Sequence, residues 1–227
     1  KIPIMQTMHG WGIFKSDEQE RQDIEILNRV NHVVSISKAS EDLLLRKGLS
    51  NPSKSVIYNG LLRTVQPQES QYDQHLTKIK SLKEDGCKII GIIGTVDMRK
   101  NQSLVLEALS TLPKALRFHA VFVGEGEKLN TYRGKAKSLN LCAKVTFTGH
   151  KPSGRSYVKE CDLLISASLS EGAAPLAILE AVSEKTPVLA SDTPENKEAI
   201  EDGRNGFLFN SGNALNLSEK ICCALSS

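Results

Sequence analysis

The sequence predicts an α/β protein built on parallel sheets with helices on both faces. Three observations predict it. Short runs rich in Val and Ile recur along the chain, Gly, Ser or Asn often follows them, and amphipathic stretches fill the intervals. Strand-helix-strand alternation makes the sheets parallel, with crossover helices covering them.

The strand candidates, in order, are IPIMQTM, HVVSIS, SVIYN, KIIGIIG, HAVFVG, KVTFTG, DLLISAS, PVLAS and GFLF. Helices are expected over Glu18–Val30, Ala39–Lys47, Gln102–Leu109, Lys128–Leu139, Arg155–Glu160, Pro175–Ser183, Glu195–Glu201 and Ala214–Ala224. In NQSLVLEAL, the apolar residues Leu104, Val105, Ala108 and Leu109 fall on one helical face. The rhythm breaks once, over Leu61–Asp85, a polar stretch with no strand signal and with Pro67 in a Gln-rich patch. It reads as a domain boundary followed by a helix. The expected organisation is the C-terminal part of one α/β domain over 1–62, a linker and helix over 63–86, and most of a second domain over 87–227.

Composition excludes several function classes. The chain has 227 residues, 40% hydrophobic and 24% charged, which is ordinary for a soluble globular protein. Its net charge of +3, with no dense run of Lys and Arg, argues against a nucleic-acid partner. No apolar run approaches the ~20 residues of a membrane span. The N-terminus, KIPIMQTMHG, lacks the layout of a secretory signal and a starting Met, so the chain is expected to be part of a longer protein. Cys87, Cys142, Cys161, Cys222 and Cys223 show no metal-type spacing. They read as reduced, small buried hydrophobes. No Asp-x-Asp pair occurs, and no metal site is expected.

In an open parallel sheet, ligands bind outside the carboxyl ends of the strands. In the second half of the chain those ends lead into TVDMRKNQ, EGEK, HKPSG and LSEGAAP. All four carry Gly, a charge, or both, as a site for a polar anionic small molecule would. The last of them opens SEGAAPLAILEA. Pro175 suits a first helical turn, and Gly172, Ala173 and Ala174 have no side chain that can cap it. Open N–H groups at a helix start favour a phosphate or diphosphate, and small residues let it approach. A carboxylate near such a cradle, here Glu180, commonly takes ribose hydroxyls, and Glu171 in the loop could accept from a sugar. Plainer readings compete. Glu171 could be a helix cap, Glu180 a solvated helix residue, Lys100 a surface lysine, and Gly94, Gly124 and Gly149 simple strand ends. Local composition does not decide between them.

Longer segments add a resemblance. SLSEGAAPLAILEAVSEKTPVLASDTPENKEAIEDGRNGFLF resembles the signature of the family-4 (group 1) glycosyltransferases of the two-domain GT-B fold. GTVDMRKNQSLVLEAL is similar to the first strand-loop-helix of their donor domain. FVGEGEKLNTYRGKAKSLNLCAKVTFTGH is similar to their Gly-x-Gly segment and the strand after it. HVVSISKASEDLLLRKG, SVIYNG and TMHG resemble the end of the acceptor-side domain and its His segment. The order and approximate spacing of these matches make the resemblance specific.

The resemblance implies a doubly wound, Rossmann-like donor domain, nearly complete, behind a partial acceptor-side domain. It implies transfer of a hexosyl group, with retention, from a UDP- or GDP-linked sugar to a glycan or lipid-linked acceptor in cell-surface polysaccharide or lipopolysaccharide synthesis. No metal or other cofactor is implied. Carried over, Glu180 would hold the ribose and Glu171 the donor sugar, with backbone groups of Gly172, Ala173, Ala174, Pro175 and Leu176 along the diphosphate. Lys100 would neutralise the leaving group, His9 would lie by the reacting sugar, and Gly94, Thr95, Arg99, Gly124 and Gly149 would complete the donor site. Catalytic roles thus fall to His9, Lys100 and Glu171. The expected location is the cytoplasm, at the inner face of a membrane if the rest of the acceptor-side domain docks there. The sequence departs from the family pattern twice. Eight residues, GAAPLAIL, separate the two glutamates, one more than usual. Thr95 stands where the family often has Arg, and Arg99 is the nearby substitute. The competing expectations are a truncated nucleotide-sugar-binding module without turnover and a nucleotide-sugar epimerase.

Overall fold

The structure, a computed structural model, describes residues 2–12, 15–61, 73–173 and 175–226. It contains two parallel sheets. The smaller joins β1 (Met5–Met8), β2 (His32–Ser35) and β3 (Lys54–Val56) in that order, with α1 (Asp17–Arg29) and α2 (Lys38–Arg46) as crossovers. The larger is formed by β4 (Lys88–Ile93), β5 (Phe118–Val123), β6 (Val145–Gly149), β7 (Leu163–Ser166), β8 (Val188–Ser191) and β9 (Phe207–Phe209). Its order is β6-β5-β4-β7-β8-β9. The chain steps outward from β4 to β6 and then returns to the other side of β4, so β4 and β7 flank the point where the order reverses. A crevice opens there at the carboxyl ends.

Helices α3 (Gln74–Glu84), α4 (Gln102–Ser110), α5 (Leu129–Ser138), α6 (Arg155–Val158), α7 (Leu176–Glu184), α8 (Pro194–Ala199) and α9 (Ala214–Ser226) accompany the larger sheet. The predicted face of α4 is buried, with Val105 and Ala108 fully so. Every residue of β5 is buried, and Phe122 stacks on Phe147 with ring centroids 4.7 Å apart.

Several expectations are corrected. Pro175 is not in the first turn of α7; it is the N-cap, with ψ 143, because its backbone is still extended there. The helices expected to reach Glu160 and Glu201 stop at Val158 and Ala199, each ending in a short loop. Of the five cysteines only Cys161 is buried; Cys142 and Cys223 are exposed, on a loop and on the outer side of α9. The helix expected in the polar break is present: α3 packs Leu76 and Ile79 against Ile89, Val121 and Val123. Pro67 and the rest of 62–72 lie outside the described residues.

Candidate active site

Carboxyl ends from both sheets meet at one cleft of about 460 Å³. The smaller sheet contributes His9 after β1, Ile36 after β2 and Asn59 after β3. The larger contributes Ile93, Gly94, Thr95, Arg99 and Lys100 from β4 and its loop, then Glu171, Gly172, Ala173 and Pro175 from the loop after β7. Leu176, Ala177 and Glu180 enter from α7, and Gly154 from the turn before α6. Ala174 lies outside the described residues.

Each loop is held by its own contacts. Asp97 Oδ1 accepts the Lys100 amide at 2.8 Å, and the Thr95 carbonyl accepts Gln102 Nε2 at 2.7 Å, so the β4 loop turns back onto α4. The Leu169 amide donates to the Arg99 carbonyl at 2.9 Å, tying the β7 loop to the β4 loop. Glu171 completes the tie. Its carboxylate, 9% exposed, accepts Arg99 Nη1 at 2.8 Å and also pairs with Lys100. The cap reading of Glu171 is thereby excluded: α7 has no side-chain cap hydrogen bond. The start of α7 lines the cleft through Pro175, Leu176 and Ala177, and no side chain caps it, so a helix start's partial positive charge lies at the cleft.

Gly172 lies tight against the His9 segment of the smaller sheet. A Cβ there would stand 1.8 Å from the His9 carbonyl oxygen, so no other residue fits. Gly124 does the same within the larger sheet, where a Cβ would lie 2.0 Å from the Gly94 carbonyl oxygen. Gly124 lines an adjoining hollow of about 270 Å³ with Gly94, Thr95, Glu125, His150 and Lys151. Gly149 sits beside it at the end of β6, and its carbonyl accepts the Gly124 amide at 3.0 Å; it lines neither space.

Glu180 is half-buried one helical turn beyond the α7 start. Burial raises its pKa above the usual carboxylate range, Arg155 opposes this, and Glu184 adds to it. Arg155 is itself paired with Glu184. Among the described residues no hydrogen-bond donor is set against Glu180. Gly154 lies beside it, and what a Cβ at Gly154 would meet is Ile93, whose Cγ2 would stand 2.9 Å away, rather than Glu180 Oε2 at 4.0 Å.

Sequence reasoning missed Ile36, Asn59, Ile93, Gly154 and Ala177 in the cleft. It flagged the HKPSG loop but did not single out His150 or Lys151. Lys151 reaches Asp73 Oδ1 at 2.9 Å, and Asp73 also accepts Tyr157 Oη at 2.6 Å. Their only sequence signal was their position after a strand. Among the described residues no cluster of three or more His, Cys, Asp or Glu could hold a metal ion, and no helix is long and apolar enough to cross a membrane.

Known proteins resemble this chain along its length. The EpsD protein of Bacillus subtilis is 29% identical over 189 residues, 80% of this chain and 48% of EpsD. The poly(ribitol-phosphate) alpha-N-acetylglucosaminyltransferase of Staphylococcus aureus is 26% identical over 92% of this chain and 39% of its own length. An Escherichia coli galactosyltransferase, named for UDP-Gal and a diphosphoundecaprenol-linked GlcNAc, is 24% identical over 91% of this chain and 56% of its own. The chain thus spans about half the length of these relatives. The crystal structure of Anabaena HepE in complex with UDP-glucose superposes with a TM-score of 0.83, over 98% of this chain and 62% of HepE, at 23% identity. The fold is the α/β, Rossmann-like fold of the GT-B glycosyltransferases. The family model described as "Glycosyl transferases group 1" matches residues 73–227, and the chain belongs to that family.

Proposed function

We propose that this chain holds the nucleotide-sugar site of a retaining hexosyltransferase that acts in cell-surface glycan synthesis. One observation carries the reading: Glu180, a carboxylate with no hydrogen-bond partner among the described residues, and a cation pair, Arg99 and Lys100, line one cleft with the uncapped start of α7. In this reading the diphosphate lies on the α7 amides, where the helix start and the cation pair offset its charge. Glu180 accepts the ribose hydroxyls. Glu171 gives up its cations to the phosphates and turns its oxygens to the sugar. Lys100 then carries the negative charge that grows on the leaving diphosphate, and His9 lies opposite, beside the sugar. The relatives named for N-acetylglucosaminyl and galactosyl transfer support a glycan or lipid-linked acceptor. The cytoplasm, at a membrane face, is the matching location.

Titration calorimetry with UDP, GDP, uridine and guanosine tests this. One diphosphate should bind at least about tenfold more tightly than its nucleoside, and Lys100→Ala should erase much of that difference. Glu180→Gln should cost about 1–3 kcal/mol of diphosphate affinity, the loss of a charge-assisted hydrogen bond. Binding should persist in EDTA. Equal affinity for nucleoside and diphosphate would remove the anion cradle; loss in EDTA restored by Mg²⁺ would make the site metal-dependent.

A further inference from the structure

Glu198, on α8 of the larger sheet, spends its carboxylate on the other sheet. Oε1 accepts the Lys38 amide at 2.8 Å and Oε2 accepts the Ala39 amide at 2.9 Å. Tyr58 Oη donates to Oε1 at 2.5 Å. Among the described residues all three donors come from the smaller sheet's segments. Lys38 and Ala39 are the first two residues of α2, whose opening amides have no partner inside their own helix. The third, Ser40, donates to the cap Ser37 Oγ at 2.9 Å. The start of α2 is therefore satisfied partly by its own cap and partly by a carboxylate of α8, on the larger sheet's side. The bond is to backbone: the Lys38 ammonium turns away to Glu41 and Asp42. A carboxylate on two amides fixes direction as well as distance, which a loose surface ion pair does not.

Three further hydrogen bonds pass this grip to the cleft. Ser37 Oγ donates to the Gly172 carbonyl at 2.8 Å, on the loop that carries Glu171. Ser191 Oγ donates to the Ser168 carbonyl at 2.6 Å, and Asn196 Nδ2 to the Ser191 carbonyl at 2.9 Å, so α8 and the Glu171 loop are tied through fully buried groups. Gly172 in turn lies against His9 and Gly10. We propose that Glu198 is a positioning residue: by capping α2 from α8, beside the cleft, it holds the His9 loop against the Glu171 loop and sets the width of the cleft. Its bearing on transfer rests on the reading of the cleft as the nucleotide-sugar site; the contact itself does not.

The test is solution NMR on the chain without nucleotide. In Glu198→Ala and Glu198→Gln the Lys38 and Ala39 amide protons should move upfield and exchange about tenfold or more faster. Cross-relaxation between Gly10 and Gly172 should weaken in both variants, while amides of β2 and β8 keep their protection. Tyr58→Phe should give a smaller change of the same kind. Unchanged Lys38 and Ala39 amides, or an intact Gly10–Gly172 contact in Glu198→Ala, would overturn the proposal. So would a general loss of protection in β2 and β8 in both Glu198 variants, which would make Glu198 a residue of folding. A parallel titration with UDP separates the two readings: if wild type binds no nucleotide but shows the amide response, the donor-site reading fails and the positioning role stands.

Discussion

The two sheets are built from the same kind of strand, yet they are covered to different degrees. In β5 every residue is buried, and Ile89 and Ile90 of β4 with Ala120 and Val121 of β5 reach zero exposure. In β1 three of four residues are exposed; Met5 presents 66% of its surface, and Ile2 and Ile4 just before the strand present 89% and 57%. Strand β4 has a neighbour on each side, β5 and β7; among the described residues β1 pairs with β2 alone. The difference teaches that apolar content does not by itself place a strand inside. A strand is buried when other elements close over it, and the larger sheet has helices enough to do so. The smaller sheet is anchored differently. Its loops lean on the larger sheet's side through Gly172, Ser37 and Glu198.

The largest expected break in that contrast is Phe122→Ala. Phe122 is 1% exposed and stacked on Phe147, so truncation should cost about 3–5 kcal/mol of stability, whereas Ile4→Ala should stay within about 0.5 kcal/mol. Urea denaturation of both variants reads this directly, and equal losses at the two positions would erase the contrast.

A smaller effect comes from acid. His119, in β5, is buried with Nε2 2.8 Å from Thr146 Oγ1. Burial, and then Lys78, lower its pKa from 6.5 to about 4. The folded state keeps it neutral while the unfolded chain protonates it near 6.5. The stability it contributes is therefore complete above that value and is lost as pH falls through about 4. The loss should reach about 3 kcal/mol at most. His119→Val should remove this part of the acid dependence; identical pH profiles for variant and wild type would take His119 out of the account.

The smallest effect on stability, with a clear effect on association, is Ile4→Lys. An exposed apolar edge strand invites pairing with another copy, and a charge on it blocks that. Wild type should show concentration-dependent sedimentation and Ile4→Lys should not, with stability changed by no more than about 0.5 kcal/mol. Equal sedimentation of both would show that the edge is already inert.

Much of this molecule is local. Strand and helix positions follow from periods of two and 3.6 residues, which side chains a few positions apart define. The small residues Gly172 and Ala173 before Pro175 mark a helix start with little side chain to cap it, but that Glu171 does not cap it is seen only in the fold. The sequence alone thus determined the parallel α/β class, the loops that hold the cleft residues, and the place of Glu180 on its helix. What it did not determine is who meets whom. Glu171 pairs with Arg99 and Lys100, some seventy positions earlier, because β4 and β7 become neighbours where the strand order reverses. Glu198 reads in the sequence as one more helical glutamate, and becomes a cap for α2 only when that helix start is brought against it from 159 positions away. Asn59 and Ile36 join the cleft for the same reason. Such pairings depend on the crossing of distant segments and on the burial that fixes them, and only the folded chain sets either.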